Sequence, residues 1–261
     1  MTTFEQLAAE ALDAPFSGWD FSWLAARSVS EPAPWSYRRE VARRVPGASA
    51  MLDMGTGGGE RLARLKHRPA RTVATEGWPP NVQVAAGRLR PLGVPVVQDE
   101  GAADNTAQNP ARGRLPFRDG AFDLITNRHE SFLAAELSRV LAPGGTFVTQ
   151  QIDYHAADDW YRLLGLPVPG QPDSWLPLAR RQLQDAGLVV QTAAAGEERE
   201  RFHDVAGVIY YLRAVSWAVP EYSFDRFAGR LRELHETPGA WPVLCRQPQF
   251  LVIATQGQLA G

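Results

Sequence analysis

Hydrophobic and polar positions along the chain follow two alternating patterns. Short apolar runs bounded by turn residues predict buried strands, and these runs fall at 48–54, 71–77, 94–98, 121–127, 146–152, 188–194 and 249–255. Apolar residues at helical spacing predict helices between them, at 58–67, 81–93, 131–142, 175–187, 203–217 and 223–236. Strands that alternate with helices in this way predict parallel βαβ units in an open, doubly wound α/β sheet.

Three segments lie outside this alternation. Residues 1–45, rich in tryptophan and proline, precede the first strand and predict an N-terminal helical cap. About fifty residues separate the last two strands and predict a helical insertion at about 197–246, within a main domain of residues 46–261. The polar stretch 99–114 has no apolar periodicity and predicts a loop.

Composition narrows the possible partners and compartments. A net charge of −2 gives no overall field that would attract nucleic acid or an anionic membrane. The single cysteine excludes a disulfide framework and a cysteine-based zinc site within one chain, and the five histidines show no close ligand spacing, so we expect no metal. Without an apolar run of about 18 residues or a signal-peptide pattern, we expect no membrane span and a cytoplasmic protein.

The stretch MLDMGTGGGERL, residues 51–62, carries a strand directly into glycines. A dinucleotide site with the pattern G-x-G-x-x-G would need its third glycine at position 60, which is Glu60. What remains is Asp53 followed by G-x-G-x-G at Gly55, Gly57 and Gly59. Glycines there let the backbone approach a bound molecule closely. The Asp53 carboxylate could bind a cationic group of a ligand, or it could orient the loop. Alternatively, it could cap the helix that follows.

Glu76 lies 23 residues beyond Asp53, at the end of the second predicted strand. A carboxylate in that place can accept two hydrogen bonds from ribose hydroxyls. Each residue alone is equally typical of a helix cap or a strand-end charge. Together, at the carboxyl ends of adjacent parallel strands, they predict a nucleoside-binding pair.

Four stretches in a fixed order connect the chain with a known family. They are LDMGTGGGE, VATEG, LPFRDGAFDLITNRHE and ELSRVLAPGGTFVTQQ, and they span roughly residues 48 to 152. In these stretches the sequence resembles the class I S-adenosylmethionine-dependent methyltransferases of the type 11-like group. The resemblance implies a Rossmann-like, mostly parallel sheet of seven strands with an antiparallel last strand, and S-adenosylmethionine as the cofactor.

The resemblance also implies where the cofactor would bind. Its methionine part would lie against the loop that contains Asp53, Gly55, Thr56, Gly57 and Gly59. Glu76, followed by Gly77, would hold the ribose hydroxyls.

The remaining cofactor contacts that the resemblance implies come from later loops. An acidic residue after the third strand would meet the adenine amine; Asp99 is the candidate, with Glu100 or Asp104 as alternatives. Asn127 and Arg128, at the end of the fourth strand, would lie beside the sulfonium and the entering substrate.

Methyl transfer from a sulfonium is an in-line displacement that needs no covalent intermediate, so the main requirement is positioning. A base helps when the acceptor is a hydroxyl or a ring nitrogen that must lose a proton. His129 follows the fourth strand and is the first candidate for this base, and Glu130 is the second. In the alternative interpretation, residues 127–130 form a polar turn in which His129 only bonds the backbone.

The composition of the segments outside the sheet indicates which class of molecule accepts the methyl group. They are aromatic and locally acidic, without the row of lysines and arginines that contacts RNA phosphates. We therefore expect a small-molecule substrate, methylated on oxygen or nitrogen, and no nucleic acid. Two alternatives stay open: an RNA methyltransferase that uses scattered arginines, and a non-catalytic protein that binds S-adenosylmethionine.

Overall fold

The computed structural model describes residues 2–17, 19–103, 105 and 113–257, which form one mixed sheet with helices on both faces. The strands are β1 (Ser28–Glu31), β2 (Ala50–Met54), β3 (Arg71–Glu76), β4 (Val96–Gln98), β5 (Phe122–Arg128), β6 (Leu141–Ile152), β7 (Leu188–Phe202) and β8 (Val243–Gln256). The helices are α1 (Phe4–Asp13), α2 (Tyr37–Arg44), α3 (Glu60–Ala63), α4 (Pro79–Leu89), α5 (Ala134–Val140), α6 (Asp158–Leu163), α7 (Leu176–Asp185), α8 (Val205–Ala214) and α9 (Phe224–Glu236).

The strand order is β1-β7-β8-β6-β5-β2-β3-β4. Strands β2 to β6 pair in parallel, and β8 runs antiparallel to both β6 and β7. This confirms the predicted doubly wound α/β fold with an antiparallel last strand. Within the described residues the sheet has eight strands, so the expected count of seven was one too low.

The additional strand is β1, which lies inside the N-terminal segment predicted to be helical. Its four residues pair antiparallel with the end of β7, Ser28 opposite Phe202 and Glu31 opposite Arg199. The sequence SVSE holds a single apolar side chain, Val29, and that side chain is half exposed. The strand therefore depends on backbone bonds to β7, which a hydrophobic pattern does not report.

Strands β7 and β8 continue beyond the carboxyl end of β6 as a two-stranded ribbon. Ile152, the last residue of β6, pairs with Gln249, whereas the β7–β8 pairing runs on to Phe202 and Val243. Six further residues at about 3.3 Å each extend this ribbon roughly 20 Å past the end of β6. The segment predicted as a helical insertion at 197–246 is thus strand at both ends, with α8 and α9 between them.

The N-terminal segment and the insertion pack together beside the sheet. Helix α1 lies against α8, and their apolar side chains share one core cluster that includes Phe4, Leu7 and Ile209. Tyr210, fully buried in this cluster, donates its hydroxyl to the carbonyl oxygens of Pro15 (3.2 Å) and Asp20 (3.3 Å). These contacts hold the N-terminal segment over the carboxyl edge of the sheet.

Candidate functional site

A cleft of about 1820 Å³ opens at the carboxyl ends of the parallel strands, where open α/β sheets bind their ligands. The sheet edge forms its floor, and the N-terminal segment, the insertion and the β7–β8 ribbon form its walls. Sequence-predicted residues that line it are Asp53, Gly55, Thr56, Glu76, Gly77, Arg128, His129 and Glu130.

The glycine loop after β2 has a backbone that only glycine adopts easily. Gly55, Gly57 and Gly59 have φ angles of 60°, 62° and 79°, in the left-handed region. A Cβ at Gly55 would lie 2.5 Å from the Glu130 Cβ, and one at Gly59 would lie 2.9 Å from the Leu89 Cγ. At Gly57 it would collide with the Trp19 indole. The glycines therefore let the Glu130, Leu89 and Trp19 side chains pack directly against the loop backbone.

Asp53 holds this loop in shape. Its Oδ1 accepts a hydrogen bond from the Thr126 hydroxyl at 2.6 Å, and its Oδ2 accepts one from the Thr56 hydroxyl at 2.8 Å. Burial raises the pKa of the Asp53 carboxyl, while these two hydrogen bonds act in the opposite direction. The side chain thus links β2, β5 and the glycine loop at the floor of the cleft.

Glu76 connects the glycine loop to the end of β3. Its Oε2 accepts from the Gly57 N–H at 2.7 Å, and its Oε1 accepts from the Trp78 N–H at 2.9 Å. Only 7% of the residue is exposed, and this burial raises the pKa of its carboxyl. Each carboxylate oxygen keeps a second lone pair, so the side chain can still accept from hydroxyl groups of a bound molecule.

Asp99 and Glu100 follow β4 and take different roles. The Asp99 carboxylate accepts from the Gly101 N–H at 2.8 Å, and burial beside the Glu100 charge raises its pKa. Glu100 lines the cleft, and its backbone passes so close to Gly77 that a Cβ there would lie 3.0 Å from the Glu100 Cα. The geometry therefore brings Glu100 into the cleft, whereas Asp99 shapes the turn. Asp104 lies outside the described residues.

Asn127 is fully buried and supports the turn that follows β5. Its Nδ2 donates to the Glu130 carbonyl at 2.9 Å, and its Oδ1 accepts from Thr149 at 3.0 Å and from Gln151 at 2.6 Å. Gln151 also donates to the Glu130 carbonyl, at 3.0 Å. This network fixes the backbone that presents Arg128 and Glu130 to the cleft.

The Glu130 carboxylate reaches between two glycines of neighbouring loops. Cβ atoms placed on Gly55 and Gly101 would lie 2.5 Å and 2.7 Å from atoms of its side chain. Burial, together with the nearby charges of Glu76 and Asp99, raises the pKa of Glu130 to about 7. A carboxyl group with that pKa can exchange a proton near neutral pH.

His129 has a different environment from its neighbour Glu130. Burial, helped by the positive charges of Arg128 and Arg61, holds the pKa of His129 well below its ordinary value. Its Nδ1 is buried, and it has no hydrogen-bond partner among the described residues. The ring is therefore neutral at physiological pH and a weaker base than its ordinary value suggests. Burial thus moves the pKa values of His129 and Glu130 in opposite directions.

Arg128 reaches the cleft next to residues that sequence reasoning did not connect with it. Its side chain is 17% exposed, and the Glu198 carboxylate on the β7–β8 ribbon lies 3.9 Å from its guanidinium. Burial, with the neighbouring Arg61 charge, lowers the pKa of Arg128 to about 10. Glu198 was missed because no pattern indicated that the ribbon would wall the cleft.

Trp19 in the N-terminal segment and Trp217 in the insertion pack over the glycine loop. The Trp19 indole lies on Gly57, and its ring packs edge-on against Trp217 with centroids 5.2 Å apart. Both side chains line the cleft and are substantially exposed. Their only signal in the sequence is a concentration of tryptophan, which is equally typical of a core.

Comparisons with known proteins agree with this fold and loop. Residues 52–149 match the family model of the methyltransferase domain. A 23S rRNA (guanine(748)-N(1))-methyltransferase of Streptomyces fradiae is 29% identical over 213 residues, which cover 75% of this chain and 67% of the relative. These matches support the resemblance of this chain to the class I S-adenosylmethionine-dependent methyltransferases.

Solved structures share the fold at low sequence identity. A candidate methyltransferase of Bacillus halodurans superimposes with a TM-score of 0.54 at 16% identity, covering 85% of this chain and 97% of that one. A protein of unknown function from Deinococcus radiodurans gives the same TM-score and identity, with coverages of 88% and 90%. In the described part of the chain, no helix combines the length and apolar character needed to cross a membrane.

Proposed function

We propose that this protein transfers a methyl group from S-adenosylmethionine to a small-molecule acceptor, on oxygen or nitrogen. The observation that carries the proposal is the cleft at the carboxyl ends of the strands, which has the three-glycine loop on its floor and a predominantly acidic lining. Bound there, the cofactor would supply a methyl group made electrophilic by its sulfonium. The chain's own part would be to hold the two reactants in line and to exclude water.

The glycine loop and the carboxylates beside it fit the cofactor. Gly55 lines the cleft without a side chain of its own, and Glu76 keeps acceptor capacity at the end of β3. Glu100 lines the cleft, and its carboxylate would accept a hydrogen bond from an exocyclic amine. These residues suit the hydroxyl and amine donors of an adenosine group.

The charge of the lining supports a small acceptor over RNA. Ten aspartates and glutamates line the cleft against five arginines. An RNA substrate would bring phosphates towards this surface, and the acidic excess would repel them. The rRNA acceptor named for the Streptomyces fradiae relative is the second candidate, because that relative aligns over 75% of this chain.

Glu130 is our candidate for the group that accepts a proton from the acceptor. Its carboxylate lies in the cleft against Gly55, and its pKa of about 7 matches a base that works near neutral pH. His129 would then contribute a neutral ring to the wall rather than take up the proton.

Calorimetric titration with S-adenosylmethionine, S-adenosylhomocysteine and NAD tests the cofactor. We expect the two adenosyl compounds to bind and NAD not to bind. Asp53→Ala and Glu76→Ala should abolish that binding. Asp119→Ala, which removes an exposed carboxylate outside the cleft lining, should leave it unchanged. Lack of binding by both adenosyl compounds would refute the proposal.

A second experiment distinguishes the acceptors and the non-catalytic alternative. Methyl-labelled S-adenosylmethionine is incubated with fractionated small metabolites and, separately, with a 23S rRNA transcript, and labelled products are counted. Label in a small metabolite supports the proposal, and label in RNA supports the second candidate. Cofactor binding without label in either would favour a non-catalytic protein.

A further inference from the structure

A chain of side-chain hydrogen bonds crosses the sheet from β6 to the β7–β8 ribbon. The Trp35 Nε1 donates to the Gln150 Oε1 at 2.9 Å, and the Gln150 Nε2 donates to the Gln249 Oε1 at 2.6 Å. Gln249 is fully buried, and its Nε2 donates to the Glu198 Oε2 at 2.9 Å. All three bonds run in the same direction, and the last acceptor is the Glu198 carboxylate.

The two buried amides fix the position of the Glu198 side chain. Buried amides are unfavourable unless their polar atoms are bonded, and apolar residues in these strands would avoid that requirement. Gln249 uses both of its N–H groups, because the second one donates to the Gln247 Oε1 at 2.9 Å. Side chains that contact a ligand are typically held by supporting hydrogen bonds of this kind. Gln150 and Gln249 therefore act as positioning residues for Glu198.

Glu198 keeps one carboxylate oxygen for a bound molecule. Gln249 and Arg128 both approach Oε2, and Arg128 forms an ion pair there at 3.9 Å, which is longer than a hydrogen bond. No described residue donates a hydrogen bond to Oε1. The residue lines the cleft, and its side chain is 31% exposed. Oε1 can therefore accept from a ligand while the ion pair with Arg128 stays intact.

The surroundings of Glu198 favour a positively charged donor. Glu200 lies two residues further along β7, on the same face of the strand, and it also lines the cleft. Its carboxylate accepts from the Ser30 hydroxyl and forms no ion pair with a described residue. Tyr211 places an aromatic ring beside this face, because its hydroxyl accepts from the Gln247 amide at 3.3 Å. A protonated amine fits two carboxylates beside an aromatic ring.

We propose that Glu198 selects the methyl acceptor by binding a protonated amine of that molecule through Oε1. The assignment rests on the proposed function in one respect, because the amine belongs to the molecule that receives the methyl group. It narrows the acceptor from small molecules in general to those that carry a basic nitrogen.

The binding test compares two compounds that differ in charge. Benzylamine is protonated at neutral pH, whereas benzyl alcohol is neutral and nearly the same size. Both are titrated, by nuclear magnetic resonance, into the unmodified protein, Glu198→Gln and Glu197→Gln, with and without S-adenosylhomocysteine. Glu197 is the matched control, because it precedes Glu198 on β7, is not among the residues that line the cleft and accepts from Arg199 at 2.6 Å.

The unmodified protein and Glu197→Gln should bind benzylamine about tenfold more tightly than benzyl alcohol. In Glu198→Gln this ratio of affinities should fall to about one, while the affinity for benzyl alcohol stays the same. Gln249→Met keeps the Glu198 charge but removes the donor that orients it, so the ratio should fall by a smaller factor. A merely structural effect would weaken both compounds equally and leave the ratio unchanged.

The transfer reaction supplies a second test. A mixture of small metabolites is divided on a cation exchanger, and each part is incubated with methyl-labelled S-adenosylmethionine. Label in the retained, amine-bearing part supports the role of Glu198. Label in the unretained part alone would overturn it, although methyl transfer to a small molecule would stand.

An equal ratio of affinities in the unmodified protein and Glu198→Gln would also overturn this role. The titrations without S-adenosylhomocysteine need no adenosyl compound. They therefore test Glu198 even if no adenosyl compound binds and the proposed function fails.

Discussion

The two ends of the cleft are built in opposite ways. At the β3–β4 end, Glu76 and Asp99 are each held by backbone N–H groups at 2.7 to 2.9 Å. At the β2–β5 end, Arg128 has only a long ion pair with Glu198 at 3.9 Å, and the Tyr37 hydroxyl has no hydrogen-bond partner within 3.5 Å among the described residues. Short hydrogen bonds fix the two carboxylates at the first end, whereas they do not fix the Arg128 and Tyr37 side chains at the second. We expect substitutions at the first end to change folding and binding together, and those at the second to change binding alone.

The largest effect should follow a substitution in the glycine loop itself. Gly57→Val places a branched side chain at a φ of 62° and against the Trp19 indole. Strain of about 1–3 kcal/mol, in addition to the collision, should reduce S-adenosylhomocysteine affinity at least 100-fold in calorimetry. Gly87→Ala in α4, with no atom within 4 Å of the new Cβ, is the control and should bind normally. Normal binding by Gly57→Val would refute the assignment of this loop.

Glu76→Gln tests the β3–β4 end directly. The substitution weakens two charge-assisted hydrogen bonds, each worth about 1.5–3 kcal/mol, to Gly57 and Trp78. Adenosyl affinity should fall about tenfold, and the melting temperature should fall by several degrees in a calorimetric scan. A loss of affinity without any loss of stability would contradict the contrast between the two ends.

Glu130 should make stability depend on pH. Its pKa rises from an ordinary 4.5 to about 7 in the folded protein, so the folded state prefers the protonated form. The resulting stability is complete below pH 4.5 and is lost as the pH rises through 7. Glu130→Gln should therefore be on the order of 2 kcal/mol more stable than the unmodified protein at pH 8 and similar at pH 4.5. Urea titrations at both values measure this difference.

Glu130→Gln should also change the rate of methyl transfer. The unmodified enzyme should gain turnover as the pH rises through 7, because the carboxylate form of Glu130 acts as the base. Glu130→Gln should lose this dependence and about 10²- to 10⁴-fold in kcat. An unchanged pH profile would remove Glu130 as the proton acceptor.

The smallest effect on the free energy of unfolding is expected for Tyr37 at the β2–β5 end of the cleft. Tyr37→Phe removes a hydroxyl that has no partner among the described residues, so unfolding free energy should change by less than about 0.5 kcal/mol or increase. Trp35→Phe is the neighbouring contrast, because its Nε1 donates to Gln150 at 2.9 Å, and it should cost about 1 kcal/mol. Equal losses of unfolding free energy in Tyr37→Phe and Trp35→Phe would show that the Tyr37 hydroxyl does form a hydrogen bond.

The sequence predicted which residues lie together when they stand at the carboxyl ends of neighbouring parallel strands. Asp53 and Glu76 end two neighbouring parallel strands, so their meeting at one edge follows from the fold. The ribbon that carries Glu198 was beyond this reasoning, because EERERF has charged residues on both faces and no apolar alternation. The choice between His129 and Glu130 as the base is a similar case, because residue type gives only ordinary pKa values, whereas burial decides the shift.

The pairing along the outer strands determines where a strand of another molecule could add to the sheet. Within the described residues, β4 ends one side of the sheet with three residues, while β1 on the other side covers only the last four residues of β7. The outer side of β7 from Leu188 to Glu198 therefore pairs with no described strand. A foreign strand would add most readily along this uncovered length of β7, without any need for β1 to detach.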